Sequence, residues 1–240
     1  MLFYSQIGIW KRTELYQFLP KKMFFEKSSL SSKEKDFLSS AIQKIMVKYC
    51  LKPDLINIPK FQDEVYCYEE ILVIEVQVAE DILEQKYKQI ASFIMSPVPY
   101  PMILLLCRQN AYQVWLAHQR LNTVDKNKNI IENYIHSHWF ENNAELSSNM
   151  RLENCRQKNL FVLYDDLINA VIVNNARQKT GIQGELSPEK AKQLLQETEF
   201  LEEQIQKLKA QLKKEKQFNH KVALNMQIKE LENKKNLLRG

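Results

Sequence analysis

Glycine is scarce, with four residues in 240, against a usual ~7%. A chain with so few glycines has few left-handed turns and few glycine-built phosphate cradles. Neither G-x-x-x-x-G-K nor G-x-G-x-x-G occurs, which excludes nucleotide binding through those loops. Long apolar runs are missing too. The longest, Met102 to Cys107, is far short of the ~20 residues of a membrane-spanning helix. Met1-Leu2-Phe3-Tyr4-Ser5 has neither the charged opening nor the long apolar stretch of a secretory signal. The expectation is a cytoplasmic protein with no membrane partner. There is no C-x-x-C pair. Cys50, Cys67, Cys107 and Cys155 are scattered and read as neutral thiols rather than metal ligands. No cofactor is expected.

What is present is a strand around which the chain can be organised. Ile71-Leu72-Val73-Ile74-Glu75-Val76-Gln77-Val78 is rich in β-branched residues, with no Gly or Pro. Its even positions are all apolar. Its odd positions run from Ile71 and Val73 to Glu75 and Gln77, so one face is core and the other turns polar along its length.

Around this strand the pattern predicts alternating elements. Thr13 to Leu19 reads as a short helix stopped by Pro20, and Lys21 to Lys27 as a short strand. Ser31, with Glu34 three residues on, makes a capping box for a helix carrying Phe37, Leu38, Ala41, Ile42, Ile45, Met46 and Tyr49 at helical spacing. Asp54 to Pro59 reads as extended. A helix follows over Ala79–Met95, broken by the prolines at 97, 99 and 101. Met102–Cys107 and Ala111–His118 form a β-hairpin, and Ile130–Phe140 a further strand. Asn159–Val173 is a helix. The fold class is α/β, in the mixed α+β sense: a helix-covered central sheet followed by a C-terminal helical hairpin or coiled coil. The domains are 1–180, α/β, and 188–240, helical.

The tail is different in kind. It has no Gly from Pro188 to Arg239, and Ser187-Pro188 suits a helix start. Leu194, Thr198, Leu201, Ile205, Leu208 and Leu212 alternate spacings of four and three, a coiled-coil seam. The seam breaks over Lys213–His220 and resumes as Leu224, Ile228, Leu231 and Leu238. Two helices folded back on each other are favoured over one long, broken helix that self-associates. Of the net charge of +5, most sits here. Residues 188–240 hold 12 Lys and Arg and 8 Asp and Glu.

Several segments together resemble a family. They are Pro20-Lys21-Lys22 with Phe24-Phe25-Glu26-Lys27, Leu30-Ser31-Ser32-Lys33, Asp54 with Ile56-Asn57-Ile58-Pro59, and Pro99-Tyr100-Pro101. The most specific is Lys214-Glu215-Lys216-Gln217-Phe218-Asn219-His220-Lys221-Val222-Ala223-Leu224-Asn225. The chain resembles the bacterial and archaeal family called domain of unknown function 4391, nearly end to end. That family has no established activity, so the resemblance implies no catalytic residues. It implies a setting beside helicases and DNA methyltransferases of restriction or phage-defence loci, with such a protein as partner and DNA nearby.

Two functions of different class remain in view. The first is a non-enzymatic subunit of such a complex, acting through its α/β domain and its tail. The second is a Mg²⁺-dependent nuclease of the PD-(D/E)-x-K type, or an inactive relative, centred on Glu75. That chemistry needs carboxylates on a central strand to hold the metal and a lysine nearby. Glu75, Gln77 and Asp54 are the candidates, with Asp63 and Glu64 as other acids, but Gln77 stands where the lysine would be. The plain alternative is a strand end salt-bridged to Lys86 or Lys88. His136 and His138 lack a third ligand in the sequence pattern. In the tail, Lys213, Lys214, Lys216 and Lys221 are candidate phosphate contacts, although interleaved acids favour a solvated face. Leu201, Ile205, Leu208, Leu212, Leu224, Ile228 and Leu231 are the candidate interaction seam, through which the chain could also self-associate.

Overall fold

A computed structural model describes residues 2–122, 129–141 and 144–239. The chain forms two compact units, Met1–Val171 and Ile172–Gly240. The first contains α1 (Leu2–Gln6), β1 (Glu14–Phe18), α2 (Lys21–Glu26), α3 (Ser32–Ala41), β2 (Ile42–Leu51) and α4 (Pro53–Ile56). Then come β3 (Phe61–Gln62), β4 (Cys67–Tyr68), β5 (Ile71–Val78), α5 (Tyr87–Met95), β6 (Met102–Arg108) and β7 (Ala111–Leu116). Short pieces follow, β8 (Gln119–Arg120), β9 (Ile130–Ile131), β10 (Ile135–His136) and α6 (Ala144–Asn149), and then α7 (Leu160–Thr180). The main sheet has the order β1-β2-β5-β6-β7-β10. β5 and β6 are parallel and joined through α5, as a crossover requires. The other neighbours are antiparallel.

The central strand folds as its pattern predicts. Ile74, Val76 and Val78 pack with Tyr87, Ile90, Ala91 and Ile94 of α5 in the main core. On the other face Ile71 and Val73 are buried, while Glu75 and Gln77 are half-buried. Burying a side chain such as Ile74 contributes about 1.5–3 kcal/mol, so Ile74→Asp would remove that and leave a carboxylate in the core. The capping box forms as expected. The Ser31 hydroxyl accepts from the Glu34 amide at 3.4 Å, and the Glu34 carboxylate from the Ser31 amide at 2.9 Å. The Ser31 hydroxyl also donates to the Glu34 carboxylate at 2.7 Å, and that bond, with the one from the Ser31 amide, holds the Glu34 carboxyl below its ordinary range.

Several elements differ from the sequence pattern. The expected helix over residues 13–19 is instead β1, an edge strand paired with β2 through Gln17–Val47 and Phe18–Met46. Pairing across the sheet overrides its local spacing. The expected strand at 21–27 is α2, which starts after the extended Pro20 and buries Phe24 against Phe93. The expected long helix from residue 32 ends at Ala41, and Ile42–Leu51 is a strand. A register shift between Ile42 and Lys44 places both Ile42 and Ile45 on the core face. That bulge imitates helical spacing, because it converts a period of two into a step of three. Pro53–Ile56 is a helical turn closed by Asn57 in the left-handed region, rather than extended chain. The helix expected from Ala79 begins at Tyr87, after a 3-10 turn over Glu84–Lys86. Between Ile130 and Phe140 only β9 and β10 are strand.

The second unit holds the end of α7, from Ile172, with α8 (Pro188–Lys214) and α9 (Phe218–Leu237). Gly181, at φ 76°, ends α7, with its amide bonded to the Arg177 carbonyl at 2.7 Å. A left-handed residue closes a helix this way, and glycine does so without a Cβ penalty. Ser187 caps α8 by accepting from the Lys190 amide, with Pro188 in the first turn. The two helices pack together as an antiparallel hairpin. Glu202, midway along α8, meets Lys235, late in α9, at 2.9 Å, and Lys209, further along α8, meets Glu232 at 2.8 Å. Among the described residues no helix is long and apolar enough to cross a membrane.

Candidate functional site

The half-buried polar end of β5 is built by a bulge. Val47 lies opposite Ile74 and Tyr49 opposite Val73, so Lys48 is an extra residue in β2. A bulge re-aims side chains, and here Lys48 and Tyr49 both reach the face that carries Glu75. α1 closes the site. Its Phe3 and Tyr4, and Ile7 just after it, are buried, the Phe3 ring lies 5.8 Å from that of Phe140, and the Ile7 carbonyl accepts from the Leu152 amide at 3.0 Å.

Tyr4 donates its hydroxyl to Glu75 Oε2 at 2.7 Å, and Lys48 Nζ stands 3.7 Å from the same oxygen. The Lys48 ammonium lies 4.7 Å from the Tyr16 ring centroid and 5.8 Å from that of Tyr4, both within cation–π reach. Burial, reinforced by the Glu75 charge, pushes the Tyr4 phenol far up, so it remains a donor. The same two causes raise the Cys107 thiol, which makes it a poor nucleophile at neutral pH.

A phenol and an ammonium on one carboxylate oxygen form a structural ion pair. They also occupy an oxygen that a metal ion would need. Gln77 shares the Glu75 face, in register with Lys44 and Cys107. Asp54 lies on a separate element, in the first turn of α4. Among the described residues no three His, Cys, Asp or Glu side chains gather where they could hold a metal ion. The described residues therefore do not gather the donor set that Mg²⁺ requires. The ammonium beside Glu75 is that of Lys48, not Lys86 or Lys88. Lys86 bonds to Gln89 and Lys88 lies over the Tyr134 ring. His136 stacks on Trp115 at 4.3 Å.

Sequence reasoning missed Tyr4, Lys48 and Tyr16 because Tyr4 and Lys48 reach Glu75, and Tyr16 reaches Lys48, from other elements. The one available signal was Lys48, a cation within an apolar segment that was read as helix. A second polar constellation also went unseen. The buried Tyr68 hydroxyl is 2.6 Å from His118 Nδ1, and His118 Nε2 is 3.4 Å from Asp165. The hydrogen bond from His118 holds the Asp165 carboxyl below its ordinary range. Arg156 grips the neighbouring Asp166 through Nε and an Nη, at 3.0 and 2.6 Å.

In the tail, Leu201, Ile205 and Ile228 are buried, and Leu208, Leu212, Leu224 and Leu231 half-buried. Lys213, Lys214, Lys216 and Lys221 are exposed around the turn between α8 and α9.

Fold and site define a mixed α/β domain with a half-buried Lys–Glu–Tyr network, followed by a helical hairpin. The chain belongs to the family described as domain of unknown function (DUF4391), whose model matches residues 7–234. No curated protein and no solved structure matches it.

Proposed function

We propose that the protein is a non-enzymatic subunit that assembles in the cytoplasm with a DNA-processing partner. The family setting suggests a helicase or a DNA methyltransferase of a restriction or phage-defence complex. The observation that supports this reading best is the outer edge of β1, which ends the main sheet. All five of its residues are exposed, and they include Leu15 at 49%, Tyr16 at 48% and Phe18 at 59%. Clustered exposed apolar side chains of this size mark interaction surfaces. Tyr16, at φ 50°, interrupts the edge, so side chains rather than a long main-chain ladder would carry the contact. Beside the strand lies a cavity of about 390 Å³, lined by Leu15, Leu19, Met23, Phe24 and Leu55 among others. It is of a size to take an apolar anchor from a partner.

The test is capture of the co-encoded helicase or methyltransferase by the tagged chain. Leu15→Asp with Phe18→Asp alters only exposed positions, so the fold should persist while capture drops at least about tenfold, a loss of ~1.4 kcal/mol. Undiminished capture by this variant would remove the basis of the proposal.

A further inference from the structure

The hairpin turn carries a charge that its own fold does not use. Residues 207–240 contain ten Lys and Arg but only three acids, Glu215, Glu230 and Glu232. Two of these acids are engaged. Glu232 holds Lys209. Glu215 accepts from the amides of Lys216 and Gln217 at 2.7 and 2.8 Å and lies 3.4 Å from His220. Lys213, Lys214, Lys216 and Lys221 are exposed and have no carboxylate partner among the described residues. Beside them Phe218 is 76% exposed at the first position of α9. A groove of about 750 Å³ runs along the turn, lined by Lys214, Lys216, His220 and the already engaged Glu215, with Gln211, Gln217 and Gln227 among the other residues.

The seam does not need these groups. Its apolar positions lie between α8 and α9, so the hairpin closes without a lysine from the turn. Four uncompensated ammonium groups within nine residues form a counter-charge for consecutive phosphates. An exposed aromatic ring among them offers a stacking surface for one base, a combination found where proteins hold single strands. We infer that the α8–α9 turn binds single-stranded nucleic acid, with the lysines on its phosphates and Phe218 under a base. This goes beyond the docking reading and rests on a different element, so either can fail alone.

The test is fluorescence anisotropy of the full chain with a labelled 20-nucleotide oligothymidine, its oligouridine counterpart and a duplex of the same length. Single strands should bind more tightly than duplex, and the two single-stranded arms tell whether the sugar matters. Replacing all four lysines by Gln should lower the slope of log affinity against log salt by about 3, at ~0.7 per phosphate. Phe218→Ala should weaken single-strand binding about 5- to 100-fold and leave the slope unchanged. Circular dichroism should be unaltered in both variants, because every changed side chain is exposed. No binding by the wild-type chain, an unchanged slope in the lysine variant, or tighter duplex binding indifferent to Phe218 would each overturn the inference.

Discussion

Ile228 is the buried residue of α9, at 6% exposure. The flanking Leu224 and Leu231 are only half-buried. Ile228→Ala removes the transfer energy of three carbons and leaves a cavity, at a cost of about 2–5 kcal/mol. The other ties between α8 and α9 are weaker. The pairs Lys209–Glu232 and Lys235–Glu202 are partly exposed, and such pairs contribute ~0.2–1 kcal/mol each. Most of a helix's stability in a protein comes from tertiary packing rather than from its own propensity. The substitution should therefore release α9 while the rest of the chain stays folded. Hydrogen exchange read by mass spectrometry should show amides of Phe218–Leu237 losing protection by at least about 30-fold, the equivalent of ~2 kcal/mol. Amides of β5 and β6 should be unchanged. Full retention of protection over Phe218–Leu237 would refute the reasoning, since something other than this seam would then hold α9.

Glu75→Ala should lower stability by roughly 1.5–3 kcal/mol, the range for hydrogen bonds to a charged group, and leave Lys48 without its carboxylate. Tyr4→Phe should cost less. Thermal melts check both, at ~2–4 °C per kcal/mol for a chain this size, and an unchanged melting temperature in Glu75→Ala would contradict the structural role. Burial raises the Glu202 carboxyl, but hydrogen bonds from Lys235 and Lys179 outweigh it, and the net shift is downward from 4.5. A depressed carboxyl stabilises the fold above its unfolded value and loses that contribution as pH falls through its folded value. Helical-hairpin stability should thus decline below about pH 4.5, and Glu202→Gln should flatten that decline in a pH series of melts.

The parts of the fold that were legible in the sequence are those where one period runs without interruption. β5 alternates cleanly, the β6–β7 hairpin is an apolar run with a polar turn, and α8 has a cap, a proline and a seam. β2 was misread because its two register shifts break the alternation, and one of them brings Ile42 and Ile45 onto a single face. β1 was misread because nothing in its five exposed residues records the partner strand. The surroundings of Glu75 were hidden for a related reason. Tyr4 is 71 positions away in sequence, and Lys48 reaches the site only through the second of those bulges. The strand pattern located the carboxylate, but the residues that engage it depend on tertiary register. The seam was legible as a seam, and the hairpin favoured from its break over Lys213–His220 is the arrangement observed, with Glu202 paired to Lys235.

The central claim is that the α/β unit docks a protein through the β1 edge. Hydrogen exchange of the chain alone and in complex with the proposed helicase or methyltransferase partner tests it most directly. The account predicts new protection over Glu14–Leu19, with the seam amides of α8 and α9 unchanged. Protection confined to α8 and α9, with the β1 edge exchanging as in the isolated chain, would contradict it.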